Sequence, residues 1–148
     1  MDGIAVRPLA AEDRAAWEPL WLGYQRFYAV DLGADVTEAT WQRILDPAAP
    51  VYGLAAFARD AMVGIAHYIF HPTTWSAGPR CYLNDIFTAE AARGRGVGRR
   101  LIEAVYVDAA AKGADRVYWL THESNTTARR LYDQVAERSG FIQYRKTL

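Results

Sequence analysis

Cysteine is almost missing. Cys81 is the only one among 148 residues, so neither an internal disulfide framework nor a cysteine-based metal site can be assembled, and a reducing, cytoplasmic setting is expected. Charge of either sign is not in excess, with 17 basic against 17 acidic residues. The chain therefore lacks the overall positive field on which non-specific nucleic-acid binding relies, and no nucleic-acid partner is expected. No apolar run approaches the roughly 20 residues that span a bilayer. The opening "MDGIAVRPLA" has no basic head before an apolar core, so neither export nor membrane insertion is expected. Repeats, linkers and low-complexity tracts are missing too. His67, His71 and His122 are too scattered to argue for a metal site, and no metal is expected.

What is present suits one packed domain over residues 1–148. Hydrophobic residues make up 51% and charged residues 23%, and a chain of this length buries enough surface for a core. "IAVRPL" reads as a strand. A helix then follows from about Ala11, with Trp17, Trp21, Tyr24 and Tyr28 on one face. A second helix around "TEATWQRIL" has Thr37 as its candidate N-cap. From Val51, "VYGLAAFARD", "MVGIAHYIF" and "RCYLNDIFT" read as an antiparallel meander. "VGRRLIEAVYVDAAAKG" carries an apolar helical stripe stopped by Gly113. "DRVYWLT" is a strand, "NTTARRLYDQVAERSG" a helix ending at Gly140, and "FIQYRKTL" a last strand. This order predicts an α+β fold: a mixed, mostly antiparallel sheet flanked by about four helices, with a strand-loop-helix unit in the C-terminal half.

The segment "ARGRGVGRR", residues 92–100, packs three glycines and four arginines between a strand and a helix. Helix N-termini present unpaired backbone N–H groups, and glycines 94, 96 and 98 let an anion approach them without Cβ in the way. The loop lacks the Gly-Lys-Ser/Thr end of a Walker loop and the G-x-G-x-x-G of a dinucleotide loop. On its own it reads as a phosphate cradle, a basic grip or a plain turn.

Arg93-Gly94-Arg95-Gly96-Val97-Gly98 matches R-x-x-G-x-G, the loop motif of the GCN5-related N-acetyltransferases, and "YLNDIFT" stands where that superfamily has the preceding strand. "VYWLTHESNTTARRLY" resembles its next strand, helix-opening Asn and a Tyr seven residues on. The Y-L-x-D run is similar to the branch of polyamine, fungal histone and D-amino-acid acetyltransferases. The resemblance implies acetyl-CoA as co-substrate, with its pantetheine arm along Ile86, Phe87 and Thr88. The diphosphate would sit on the loop of Arg93, Gly94, Arg95, Gly96, Val97, Gly98 and Arg99. Asn125, Ala128 and Arg129 would also contact the cofactor. The acceptor would be a primary amine of a polyamine, amino acid, similar small molecule or peptide. Family habit implies a homodimer.

Tyr132 is the candidate acid for the leaving thiolate. Asn125 and Tyr132 are two helical turns apart and share a face, and a phenol with an ordinary pKa of about 10 is protonated at neutral pH. The base is less defined. Polyamine enzymes of this type carry Glu-Asp where this chain has Asn84-Asp85, and an amide cannot accept the proton. Asn84 as holder of a water, Asp85, Glu123 and His122 remain candidates, while alternation along a strand predicts that Asn84 and Asp85 face opposite ways. The loss of the carboxylate at 84 also leaves open a non-catalytic acyl-CoA-binding or regulatory module. Trp75, in a loop, and Glu123 are candidates for contacting the acceptor.

Overall fold

A computed structural model describes residues 3–148. The elements run β1 (Ile4–Pro8), α1 (Arg14–Phe27), α2 (Gly33–Leu45), β2 (Val51–Ala58), β3 (Ala61–His71), β4 (Arg80–Thr88), α3 (Val97–Ala111), β5 (Val117–Tyr118) and α4 (Thr126–Val135), with short 3-10 turns before α1 and after β4. The five strands form one sheet in the order β1-β2-β3-β4-β5. All neighbours are antiparallel except β4 and β5, which are parallel. The expected mixed, mostly antiparallel sheet with four helices is the fold observed.

Alternation along β3 divides its side chains between two layers. Ala66 and Tyr68 join Leu83 of β4 and Val97, Leu101, Ile102 and Val105 of α3 in one buried cluster. Ile65 faces the other way, onto Trp17 and Trp21 of α1 and Trp41 of α2. The stripe read from the sequence is therefore what seats α3, and close approach sharpens the fit. A Cβ on Gly64 of β3 would lie 2.7 Å from Val97 Cγ1, so the missing side chain lets the first turn of α3 rest on the sheet.

Three sequence expectations fail. Thr37 does not cap α2, which starts at Gly33 and buries Thr37 in its interior. The earlier start follows from Asp31, whose Oδ1 accepts from the Gly33 N–H at 3.1 Å, and from glycine's tolerance of φ +84°. α4 ends at Val135, well before Gly140, because the chain turns extended at Ala136. "FIQYRKTL" forms no strand, since β5 is paired only at Val117 and Tyr118 and offers little edge to join.

Leu101 is fully buried beneath the sheet. Leu101→Ala should lower unfolding free energy by about 2–5 kcal/mol, read as a lower midpoint in urea with unchanged slope.

Candidate active site

β4 meets β3 along its whole length, from Arg80 to Thr88. On its other side it meets β5 only at Cys81 and Tyr82. Beyond Tyr82 the outer edge of β4 therefore has no strand partner among the described residues, which leaves that side to an extended ligand except at Thr88, whose carbonyl takes the Arg93 side chain. Ile86, Phe87 and Thr88 lie on this edge.

The edge leads into the glycine loop. Gly94 and Gly96 take φ +78° and +81°, the left-handed region that costs other residues roughly 1–2 kcal/mol. Gly96 is the N-cap of α3, with no side chain capping that end. The first intrahelical bond runs from Arg100 N to Gly96 O, so the N–H groups of Val97, Gly98 and Arg99 have no helical acceptor. Gly98 is also spatially constrained, since a Cβ there would meet Leu131 of α4 at 3.3 Å. The arginines are less free than the motif suggests. Arg93 folds back, donating from Nε to Thr88 O at 3.1 Å and lying over Phe87, and Arg99 donates to Gln134 on α4. Arg95 stays exposed beside a depression that includes Arg59.

Asn125 caps α4: its Oδ1 accepts from Ala128 N at 3.5 Å, and its Nδ2 reaches Thr121 Oγ1 at 3.4 Å. Arg129 closes the same turn through Glu123 O at 2.7 Å. One helical face then carries Tyr132, whose ring meets Trp119 edge-on. Burial, with a smaller contribution from nearby Tyr28, pushes the Tyr132 phenol up to about 12.

The middle of β4 departs from ordinary alternation. His67 pairs with Asp85, but the next residue, Tyr68, pairs with Leu83. Asn84 is thus an extra residue in a β-bulge. The expectation that Asn84 and Asp85 face opposite ways is overturned, because Asn84 Nδ2 donates to Asp85 Oδ1 at 3.0 Å. Asp85 is buried, 8% exposed, and turned to the α1 layer. Burial and the Asp85 charge push the Tyr24 phenol up, and the same two causes act on Tyr28. Tyr24 and Tyr28 are adjacent, with ring centroids 4.8 Å apart. The Asp85 carboxylate of β4 and the Tyr24 and Tyr28 phenols of α1 are thereby gathered in one place.

Curated relatives are similar to this chain over nearly their whole lengths. D-amino-acid N-acetyltransferase HPA3 of Saccharomyces cerevisiae is 37% identical over 147 residues, 98% of this chain and 91% of that one. An uncharacterized N-acetyltransferase, YhfO of Bacillus subtilis, is 32% identical over 143 residues, 94% of each. The Acetyltransferase (GNAT) family model matches residues 14–136. The chain belongs to the GNAT family. Solved structures share its fold: a probable acetyltransferase at TM-score 0.85 and 22% identity, covering 97% of both chains, and AAC(6')-Iy with a CoA bisubstrate analogue at TM-score 0.83 and 23% identity, covering 98% of this chain and 99% of that one. This chain is an N-acetyltransferase that uses acetyl-CoA, and the family supplies no support for a purely non-catalytic role.

Not every predicted residue joins the cluster. Trp75 is 71% exposed and lies near Arg80 and Arg116 at the opposite end of β4. Glu123 is exposed, its carboxylate 3.9 Å from Arg138. His122 is exposed too, but its ring lies 6.1 Å from Tyr28. Helical spacing alone puts Tyr24 and Tyr28 on one face of the first helix, and the meander reading contains His67 without giving it a role. Their convergence on Asp85 depends on the bulge, which left no pattern to read.

Gly96→Val should raise the acetyl-CoA Kd about tenfold or more, because it forces a β-branched residue into positive φ at the anion-facing turn. Arg95→Ala should change it only a few fold, as exposed charge contacts contribute about 0.3–1 kcal/mol. Calorimetric titration with acetyl-CoA compares the two, and the reverse order would assign the binding to side-chain charge.

Proposed function

We propose that the chain acts as a single acetyltransferase domain over residues 1–148 and acetylates the α-amine of a free amino acid. The similarity to a D-amino-acid N-acetyltransferase supports that acceptor over a polyamine or peptide. The observation that carries the site is the open outer edge of β4 beyond Tyr82. Pantetheine would pair there with Ile86, Phe87 and Thr88, and the diphosphate would rest on the N–H groups from Gly94 to Arg99. This brings the thioester to the bulge, between Asp85 and the helix carrying Tyr132. No metal is assigned a role.

The α-amine of an amino acid is mostly ammonium at pH 7 and has no lone pair for attack until a proton is removed. Asp85 is the proton acceptor in this reading. Asn84 spends its amide N–H on Asp85, which leaves its carbonyl to accept from the ammonium or from a water. Once one ammonium proton has left, the nitrogen attacks the thioester carbon. The N–C bond forms, the C–S bond breaks, the nitrogen gives its second proton to solvent, and Tyr132 protonates the departing sulfur and regains its proton from solvent. A phenol raised to about 12 stays protonated from pH 7 to 10, so kcat should show no loss from this group across that range.

Two further assignments belong to this reading. Cys81 is buried and burial pushes its thiol up to about 12, consistent with a structural thiol in a cytoplasmic enzyme. Phe141, Ile142 and Tyr144 are 79%, 76% and 88% exposed on an extended segment. Such an apolar run is suited to cover on a second copy, which supports the homodimer. Light scattering should give twice the chain mass for the full chain, and a monomer after removal of residues 139–148.

Tyr132→Phe should lower kcat by about 10²–10⁴-fold while changing acetyl-CoA affinity about twofold or less. Free-thiol release over a panel of D- and L-amino acids, polyamines, aminoglycosides and peptides identifies the acceptor. Turnover confined to polyamines or peptides would remove the amino-acid assignment, and an unchanged kcat would remove Tyr132 from the chemistry.

A further inference from the structure

Asp85 is held from behind by a second hydrogen bond, and that bond has its own support. Trp17 Nε1–H donates to His67 Nε2 at 2.9 Å, and His67 Nδ1 lies 3.0 Å from Asp85 Oδ2. All three side chains are buried. An indole N–H can only donate, so Nε2 must be the accepting nitrogen. The ring proton of a neutral imidazole is then on Nδ1, where it donates to the carboxylate. The indole thus selects the tautomer, and the tautomer selects the orientation of Asp85.

A paired indole is not a given in this layer. Trp21, one turn further along α1, buries its Nε1 with no partner among the described residues. The two indoles lie stacked at 6.1 Å, yet only Trp17 engages His67 by a hydrogen bond. The remaining groups facing Asp85 are Asn84 beside it, Tyr82 on the same strand, and Tyr24 and Tyr28 on α1. None of these opposes the carboxylate with a fixed positive charge. His67 is therefore the one neighbour outside β4 bonded to it through a ring nitrogen, and it fixes Oδ2 while Asn84 fixes Oδ1, with the Tyr24 phenol of α1 a further hydrogen-bonding neighbour of the carboxylate.

We propose that Trp17 and His67 are positioning residues for acetyl transfer, forming a buried relay of two hydrogen bonds that aims the Asp85 carboxylate at the acceptor amine. The proposal rests on the reading of Asp85 as proton acceptor. His67 neither touches substrate nor exchanges its own proton in the reaction. Its function is to present a donor on Nδ1 only.

The two amide replacements for His67 separate this role from packing. Asn places its amide nitrogen near the Nδ1 position and keeps the donor to Asp85, whereas Gln reaches the Nε2 position and keeps contact with Trp17 alone. His67→Asn should retain kcat within about threefold. His67→Gln should lose about tenfold or more, with the KM for acetyl-CoA unchanged in both. Equal kcat values for the two variants would overturn the proposal. Asp85→Asn, measured alongside, tests the reading beneath it: full activity there removes Asp85 as acceptor, whereas loss there with an unaffected His67→Gln overturns the relay alone. A measurement on the unaltered protein stands even where a variant does not fold. Imidazole ¹⁵N spectra at pH 7.5 should show His67 protonated at Nδ1 and not at Nε2, and the opposite tautomer would contradict the proposal. Trp17→Phe should turn that signal into a mixture of tautomers.

Discussion

One extra residue in β4 governs the active site. If β4 kept register with β3 through Asn84, residues 81, 83 and 85 would all project into the apolar layer of α3, away from His67. The bulge between the His67–Asp85 and Tyr68–Leu83 pairs reverses the alternation. Cys81 and Leu83 stay in the α3 layer, while Asp85 turns to α1 and meets His67, Asn84 and the tyrosines. A buried carboxylate is costly unless hydrogen bonds satisfy it, and the same irregularity that moves Asp85 also brings in both donors.

The bulge and the parting of β4 from β5 are neighbouring features. Pairing between those strands ends at Tyr82 and Tyr118, and the bulge begins two residues later. A ligand lying along the open edge of β4 would therefore have its reactive end opposite Asn84 and Asp85. Its other end would meet the glycine turn, where φ values of +78° and +81° direct the chain into α3 without a side-chain cap. α3 is held to the sheet through Val97, Leu101, Ile102 and Val105. The anion-facing turn is consequently fixed by core packing, with arginine contacts such as Arg93 to Thr88 and Arg99 to Gln134 serving to secure the turn and α4.

The loop and its helix were legible in the sequence because they rest on local rules. Glycines at positions of positive φ, an apolar stripe from Val97 to Ala109 and an Asn heading α4 each leave a pattern within a few residues. The surroundings of Asp85 were not legible. A bulge changes register against a partner strand eighteen residues away, and nothing in "YLNDIFT" marks Asn84 as the extra residue. The last strand failed for a related reason. "FIQYRKTL" has a strand's composition, but strand formation depends on an available edge, and β5 presents only two paired residues.

The aromatic stripe of α1 shows why core and site were hard to separate by composition. Trp17 is wholly buried and bonded to His67; Trp21 stacks on Tyr24 at 5.2 Å; Tyr24 lies against Tyr28 at 4.8 Å; and Tyr28 lies 6.1 Å from exposed His122. Helical spacing puts these rings in one row, but the row begins in the hydrophobic layer and ends at the site. Each ring is positioned by the one before it, and the first is anchored by tight packing against Trp41. Under the proposed function, an acceptor amine that meets Asp85 beside Tyr24 and Tyr28 meets groups tied to the core, because the same row of rings runs back to Trp17 and Trp41.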